Sequence, residues 1–379
     1  MREMKDSGIE WVGTIPAHWS TMPNKYVMRK IKVINPTYNG ENILSLTVNG
    51  VIVRDLEAGG KMPSSFDGYQ ILYKGNLLMC LFDYDVTPRC IGLIKDSGVS
   101  SPAYSQFVLQ RGNDAAYFYY YYLMVDHTKA LLHRAKNLRH SFTEEQLGAI
   151  KVPVPPIAEQ ERIADFLDSQ CSQIDAISAD IQKEIETLEQ YKRSLVFEAI
   201  SKGINGEKTA NASSDIWKEI PQSWKLVDIK YLFEIVKRMA GREGYNILSV
   251  TQKGLKVKDI SGNQGQIAEN YSGYQFVFPS DYVMNHMDLL TGWIDCSDQF
   301  GVTSPDYRVF RLRDKTQNDT EYYKYVMQCC YMCRIFYSLG QGVSTLGRWR
   351  LQTSAFMNFK VPVPPLHEQK EIARYLNDK

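Results

Sequence analysis

The sequence contains one phrase twice, and this repetition limits the possible folds more than any other feature. KVPVPPIAEQERIADFLD begins at Lys151, and its near-copy KVPVPPLHEQKEIARYLND begins 209 residues later at Lys360. Shorter matches occur upstream in the same order, at offsets that stay between 203 and 209: Ile15-Pro16 and Trp19 with Ile220-Pro221 and Trp224, Asn42 to Ser45 with Asn246 to Ser249, Gly68 to Gln70 with Gly273 to Gln275, and Gly98 to Pro102 with Gly301 to Pro305. Matches in this order predict a tandem duplication and therefore two similar domains.

The segments between these matches differ strongly. LFDYDVTPRCIG in the first copy corresponds to NHMDLLTGWIDC in the second, and HRAKNLRHSFTEE corresponds to GQGVSTLGRWRLQ. A repeated frame with different loops is expected of a protein that recognises two different targets. Neutral divergence of surface loops after a duplication would produce the same pattern.

Each copy combines short strands with a tyrosine-rich helix. Asn42 to Val48 and Gln70 to Phe82 are strand-like and are bounded by glycine turns. The stretch from Tyr117 to Val125 has helical spacing, which favours half-buried core tyrosines over rings that stack on bases. We predict an α+β fold, in which two similar mixed α/β domains are joined by long helices that form a coiled-coil spacer, as a pseudo-two-fold tandem repeat.

A long helix is predicted after the proline-rich phrase. Apolar residues recur every seven positions at Leu167, Ile174, Ile181, Leu188 and Leu195. Such a stripe needs a partner helix, and we predict that these five residues form that interface. About 43 residues at the rise of an α-helix would extend roughly 65 Å.

The partner of this helix is left open by the sequence. It is either the second helix of the same chain, which begins at Pro365, or a helix of another chain. Lys379 corresponds to Gln170, so this sequence contains only the beginning of the second helix.

The charge is unevenly distributed, although the whole chain has a net charge of only +1. Residues 158–200 contain ten acids and four bases, which leaves +7 for the remaining residues. An acidic connector between mildly basic domains is consistent with two nucleic-acid contacts and a spacer. A solvated charged helix beside ordinary domains explains the charge equally well.

Length and composition indicate a globular chain of the cytoplasm. With 379 residues and 44% hydrophobic residues, the chain can build two cores. No apolar run approaches the ~20 residues that cross a bilayer, and the first residues lack a signal-peptide core. Cys329, Cys330 and Cys333 lack a second CxxC, so buried thiols are favoured over a metal site.

Common catalytic motifs are missing. Asn35-Pro36-Thr37-Tyr38 is similar to the tetrapeptide of adenine methyltransferases, but it lacks the second proline and a glycine-rich loop for S-adenosylmethionine. GxxxxGK[ST] is absent, and the histidines do not have metal-ligand spacing. These observations predict no catalytic residues, no metal and no cofactor in this chain.

Basic and polar residues in the divergent loops are candidates for DNA contacts. Arginine can bind a guanine edge, glutamine can bind adenine, and hydroxyl groups can bind phosphate. The candidates are Arg89, Arg134, Lys136, Arg139 and His140 in the first copy, and Gln341, Ser344, Thr345, Arg348 and Arg350 in the second. We expect Arg139→Ala and Arg348→Ala each to weaken recognition of one half of a DNA target.

Two features together resemble a known family. They are the N-terminal phrase from Lys5 to Trp11, followed by Ile15-Pro16 and Trp19, and the paired VPVPP…EQ blocks. The chain resembles specificity subunits of type I restriction–modification enzymes over nearly its whole length. This resemblance implies two target-recognition domains that each read one half of a split double-stranded DNA sequence.

The resemblance also implies a domain arrangement and partners. It places the recognition domains at residues 1–150 and 206–359, the central spacer at 151–205, and the start of a distal helix at 360–379. Two methyltransferase subunits would dock on the helices, and a motor–nuclease subunit would join them. S-adenosylmethionine and ATP would belong to these partners. Two alternatives stay open: an enzyme with an embedded methyltransferase or nuclease site, and an assembly scaffold that does not bind DNA.

Overall fold

The computed structural model describes residues 3–57, 63–135, 140–258, 270–342 and 349–379. It divides into two compact units, Met1–Asp180 and Ile181–Lys379. The boundary between them lies within one continuous helix. Within the described ranges, no helix combines the length and the apolar character that a bilayer crossing requires.

Unit 1 consists of short strands and two helices before the long helix. Its strands are β1 (Met4–Asp6), β2 (Thr14–Pro16), β3 (Ser20–Pro23), β4 (Met28–Ile31), β5 (Leu44–Thr47), β6 (Gly50–Val53), β7 (Gln70–Leu72), β8 (Leu77–Met79), β9 (Ile91–Leu93), β10 (Gly98–Ser100), β11 (Ser105–Leu109) and β12 (Lys151–Val154). Its helices are α1 (Ala115–His127) and α2 (Glu144–Ala149), and α3 (Ile157–Lys202) continues into unit 2.

Unit 2 repeats this order of elements. Its strands are β13 (Thr209–Asn211), β14 (Glu219–Pro221), β15 (Lys225–Asp228), β16 (Phe233–Val236), β17 (Leu248–Thr251), β18 (Gly254–Val257), β19 (Gln275–Val277), β20 (Tyr282–Met284), β21 (Ile294–Cys296), β22 (Gly301–Thr303), β23 (Arg308–Leu312) and β24 (Lys360–Val363). Its helices are α4 (Ile229–Leu232), α5 (Thr320–Met332), α6 (Ile335–Ser338), α7 (Thr353–Met357) and α8 (Leu366–Asn377).

The two units have the same sheet topology. A four-stranded sheet has the order β4-β11-β8-β9 in unit 1 and β16-β23-β20-β21 in unit 2. The two-stranded pairs also correspond, for example β12 with β3 and β24 with β15. All these ladders are antiparallel. The predicted tandem repeat of mixed α/β units is therefore confirmed, and so is the long helix.

Aromatic residues of the predicted tyrosine-rich helices form part of each core. In α1, Tyr117, Phe118 and Tyr122 are buried, and in α5, Tyr322 and Tyr323 are completely buried. These rings share a hydrophobic core with residues of β8 and β20, strands that are completely buried. The interpretation of the tyrosines as core residues is correct.

The cysteines that raised the question of a metal are placed in the same core. Cys329 and Cys330 are completely buried in α5, and the Cys329 and Cys333 sulfur atoms lie 3.8 Å apart. Burial raises the pKa of the Cys330 thiol, so this side chain behaves as a small apolar group.

The repeated EQ dipeptide holds the start of each long helix against its own unit. In unit 1, Gln160 accepts a hydrogen bond from the Asp114 amide at 2.8 Å and donates one to the Pro155 carbonyl at 2.8 Å. Gln369 makes the same two bonds to Asp319 and Pro364, at 2.7 and 2.9 Å. Because Asp114 and Asp319 cap α1 and α5, each glutamine joins two helix ends.

The preceding glutamate binds the repeated tryptophan. The Trp19 indole N–H donates to Glu159 at 2.6 Å, and the Trp224 indole N–H donates to Glu368 at 2.9 Å. Residues of the repeated motif thus hold the frame of each unit together.

Candidate nucleic-acid interface

Two divergent loops of unit 1 lie side by side. The first loop joins β8 to β9, and the second joins α1 to α2. The Tyr84 amide donates to the His140 carbonyl at 3.3 Å, and the Phe142 amide donates to the Leu81 carbonyl at 2.8 Å. These bonds bring the two segments that differ most between the copies onto one surface, which we call the loop surface of unit 1.

Unit 2 has an equivalent loop surface with different residues. The Leu351 amide donates to the His286 carbonyl at 2.9 Å, and the Leu289 amide donates to the Trp349 carbonyl at 3.1 Å. These two hydrogen bonds are equivalent to the Phe142–Leu81 bond and the Tyr84–His140 bond of unit 1. The backbone contact between the loops is therefore retained while the side chains change.

Arg89 was predicted to contact DNA, but its guanidinium group has partners within unit 1. It donates to the Val48 carbonyl at 2.5 Å and to the Tyr119 hydroxyl at 2.6 Å. Val48 lies at the turn between β5 and β6, so Arg89 connects the loop surface to that hairpin and to α1. A role in positioning the loop fits this geometry better than direct contact with a base.

In the sequence, Arg134 precedes residues 136–139 and His140 follows them. The Arg134 guanidinium is exposed and lies 5.2 Å from the centre of the Trp11 ring. His140 adopts a positive φ of 40°, and its Nδ1 lies 3.1 Å from an Asp85 carboxylate oxygen. Arg134 is thus available at the surface, whereas His140 joins the two loops. The predicted contacts Lys136 and Arg139 lie outside the described residues.

Gln341 and Arg350 close the second loop of unit 2. Their backbones exchange two hydrogen bonds of 2.9 and 3.0 Å, and both side chains are exposed. The remaining predicted contacts, Ser344, Thr345 and Arg348, lie between them and outside the described residues. Arg350 is the exposed arginine that the structure places on this loop surface.

A buried arginine that the sequence analysis missed anchors this loop. Arg308 is 5% exposed, donates to the Leu351 carbonyl at 3.0 Å and to the Thr353 hydroxyl at 3.2 Å, and lies over the Phe356 ring. Burial lowers its pKa to about 10, so it stays charged at neutral pH. The equivalent residue of unit 1 is Ser105, and no pattern in the sequence indicated this difference.

His286 lies beside this arginine. Burial, followed by the nearby charges of Arg308 and Arg350, lowers the pKa of His286 to about 4. The imidazole is therefore neutral at pH 7. A neutral imidazole can donate one hydrogen bond and accept another, which makes His286 a further candidate for contact with a base edge.

A second candidate surface is the apolar stripe of α3. Residues 168–192 are all exposed, and Ile174, Ile181 and Leu188 have exposed fractions of 61%, 51% and 58%. Leu167 and Leu195 are half-buried, and Leu195 packs against the core of unit 2. The role of the five residues as a helix interface stays a prediction.

Comparison with known proteins gives consistent matches. The family model of the type I restriction modification DNA specificity domain matches residues 65–187 and 221–378. The type I restriction enzyme MjaVIII specificity subunit of Methanocaldococcus jannaschii is 26% identical over 246 residues, which are 60% of this chain and 54% of that protein. The chain thus spans about half the length of this relative.

One solved structure has a similar fold. Its description reads "Structural basis underlying complex assembly and conformational transition of the type I R-M system". The alignment covers 96% of this chain and 90% of that chain, with a TM-score of 0.61 and 15% sequence identity. At this identity the likeness concerns the fold alone.

Proposed function

The chain belongs to the type I restriction modification DNA specificity domain family, and from this membership we propose that it recognises a split double-stranded DNA target, one part with each unit. The observation that carries the proposal is the pair of loop surfaces. They have the same backbone frame, and the residue types in the two sets of loops differ. Two different base sequences require two different sets of side chains, whereas the frame can stay the same.

The proposed function requires no chemistry from this chain. We expect it to be non-catalytic, to bind no cofactor, and to assemble in the cytoplasm with two methyltransferase subunits and a motor–nuclease subunit. S-adenosylmethionine and ATP would be bound by those partners. The predicted recognition domains 1–150 and 206–359 and the spacer 151–205 remain part of this proposal.

A footprint of the assembled complex tests DNA recognition. The chain would be purified with its methyltransferase subunit, and bound duplexes would be selected from a random library and mapped by protection. We expect two protected blocks of fixed sequence that are separated by an interval of unspecified sequence. One continuous site, or a stable complex that selects no sequence, would contradict the proposal and favour an assembly scaffold.

Single arginine variants on the two loop surfaces provide the matched comparison. If Arg134 and Arg350 contact bases, Arg134→Ala and Arg350→Ala should each weaken discrimination at a different half-site by about 1–3 kcal/mol. A uniform loss across all sequences would identify phosphate contacts instead. Methyl transfer by the isolated chain from labelled S-adenosylmethionine would contradict the non-catalytic role.

A further inference from the structure

Comparison of the two units distinguishes exposed residues that differ between them from exposed residues that both units retain. Outside α3, two of the Phe, Tyr and Trp side chains that the structure describes are more than half exposed: Tyr26 at 59% and Tyr231 at 68%. Each follows a lysine, Lys25 or Lys230. We call these residues the Lys–Tyr pairs.

The two pairs occupy equivalent positions in their units. Lys151 is opposite Pro23 in the β12–β3 ladder, and Lys360 is opposite Asp228 in the β24–β15 ladder. On the other side, Phe107 is opposite Lys30 and Phe310 is opposite Ile235. On both sides of the Lys–Tyr pairs, equivalent residues of the two units are therefore 205 positions apart, so the intervening segment contains no insertion. Lys25 and Tyr26 thus correspond to Lys230 and Tyr231.

Both units hold these pairs in the same way. The lysine ammonium lies over the neighbouring ring, 5.1 Å from its centre in unit 1 and 5.2 Å in unit 2. The lysine carbonyl accepts a side-chain hydrogen bond from Gln110 at 2.8 Å or from Arg313 at 3.1 Å. The backbone is thus fixed by different donors, while the exposed lysine and ring stay the same.

The fold does not account for the retained rings. Neither Tyr26 nor Tyr231 belongs to a hydrophobic core of its unit. A ring that stays exposed contributes little to stability, because the hydrophobic gain depends on the area removed from water. Exposed or half-buried positions close by have changed, since Arg29 corresponds to Glu234 and Lys30 corresponds to Ile235.

The charges around the pairs favour a protein over a DNA backbone as the ligand. Asp228 lies 3.0 Å from the Lys230 ammonium in unit 2, where unit 1 has Pro23. Glu234 adds a second carboxylate to the same segment, although it pairs with Arg311 at 2.6 Å. A phosphate-binding site would keep its lysine free of carboxylates, whereas the retained lysine of unit 2 already faces Asp228.

We propose that the Lys–Tyr pairs are two equivalent docking points for two copies of one protein, the methyltransferase subunit of the same restriction–modification system. This inference rests on the proposed function. A subunit that binds twice meets the same contacts on each unit, whereas the DNA half-sites differ. Exposed tyrosines are also among the residues that most often dominate protein interfaces.

Native mass spectrometry of the full chain with the purified methyltransferase subunit tests this inference. The variants are Tyr26→Ala, Tyr231→Ala and the double variant, and Tyr73→Ala, which removes a tyrosine ring that is 42% exposed and lies outside both loop surfaces, is the control. Each single variant should weaken the binding of one of the two subunits on the order of tenfold, about 1.4 kcal/mol. The double variant should weaken both, and Tyr73→Ala should weaken neither.

The possible outcomes separate this inference from the proposed function. If the wild-type chain binds no methyltransferase subunit, the proposed assembly is wrong and this inference is wrong with it. If the wild-type chain and the double variant bind two subunits equally well, only the inference is overturned. A double variant that retains both subunits but binds a random-sequence duplex more weakly would identify a DNA-backbone contact instead, which also overturns it.

Discussion

The tryptophan–glutamate contacts show how equivalent residues acquire different surroundings. Glu368 is 7% exposed and accepts from Trp224, and His367 lies 4.0 Å away. Glu159 accepts from Trp19, and it also lies 3.0 Å from the His18 ring and 3.6 Å from Arg162. Removing the indole donor should therefore matter more in unit 2.

We predict that Trp224→Phe destabilises unit 2 by about 1–3 kcal/mol, because the nearly buried Glu368 carboxylate loses its hydrogen bond. Hydrogen exchange of the α8 amides in rising urea would measure this change. Trp19→Phe, read from the amides at the start of α3, is the matched control and should cost less. Equal losses in the two units would show that the other partners of Glu159 contribute nothing.

Individual contact residues could be predicted from the sequence only in part. The composition of the loops suggested arginines, and Arg134 and Arg350 are indeed exposed on the loop surfaces. Arg89 has the same residue type but is bound to Val48 and Tyr119, which lie 41 and 30 residues away in the chain. Such partners depend on the tertiary fold, and the same reason explains why Arg308 and His286 were missed.

At the scale of elements, the heptad pattern was sufficient to predict α3. Apolar residues that recur every seven positions indicate a helix with one apolar face. The structure has this helix from Ile157 to Lys202. The short strands were harder to delimit, because most contain three or four residues and have no repeating pattern of their own. Their pairing follows from the sheet, which the local sequence does not specify.

We predict that α3 determines the interval between the two half-sites. Inserting seven residues after Ile181 adds about 10.5 Å of helix and rotates the following residues by only about 20°. The preferred interval should lengthen by about three base pairs, given 3.4 Å per base pair. Selection of duplexes with intervals of different length would measure it.

An insertion of four residues at the same position is the control for this experiment. It changes the direction of the apolar stripe by about 40°, so it should impair assembly with the methyltransferase subunits as well as the interval. If the seven-residue insertion leaves the interval unchanged, α3 does not set the spacing.

At the scale of the whole molecule, the duplication was the most informative part of the sequence. The repeated phrases correspond to residues that hold the frame, such as Gln160 and Gln369, and this explains why the two copies still match there. The loop surfaces could be located as the places where the copies differ. Their geometry could not be predicted, because it depends on hydrogen bonds between distant segments.

The exposed middle of α3 has a consequence for how such proteins can change over generations. Because residues 168–192 contribute no side chain to either core, whole helical turns can be gained or lost there without repacking either unit. If α3 sets the interval between the half-sites, a small in-frame duplication or deletion in the gene would yield a folded protein with a new target in one step. Changes of the same size within β8 or α5, where nearly every residue is packed, would instead unfold the unit that contains them.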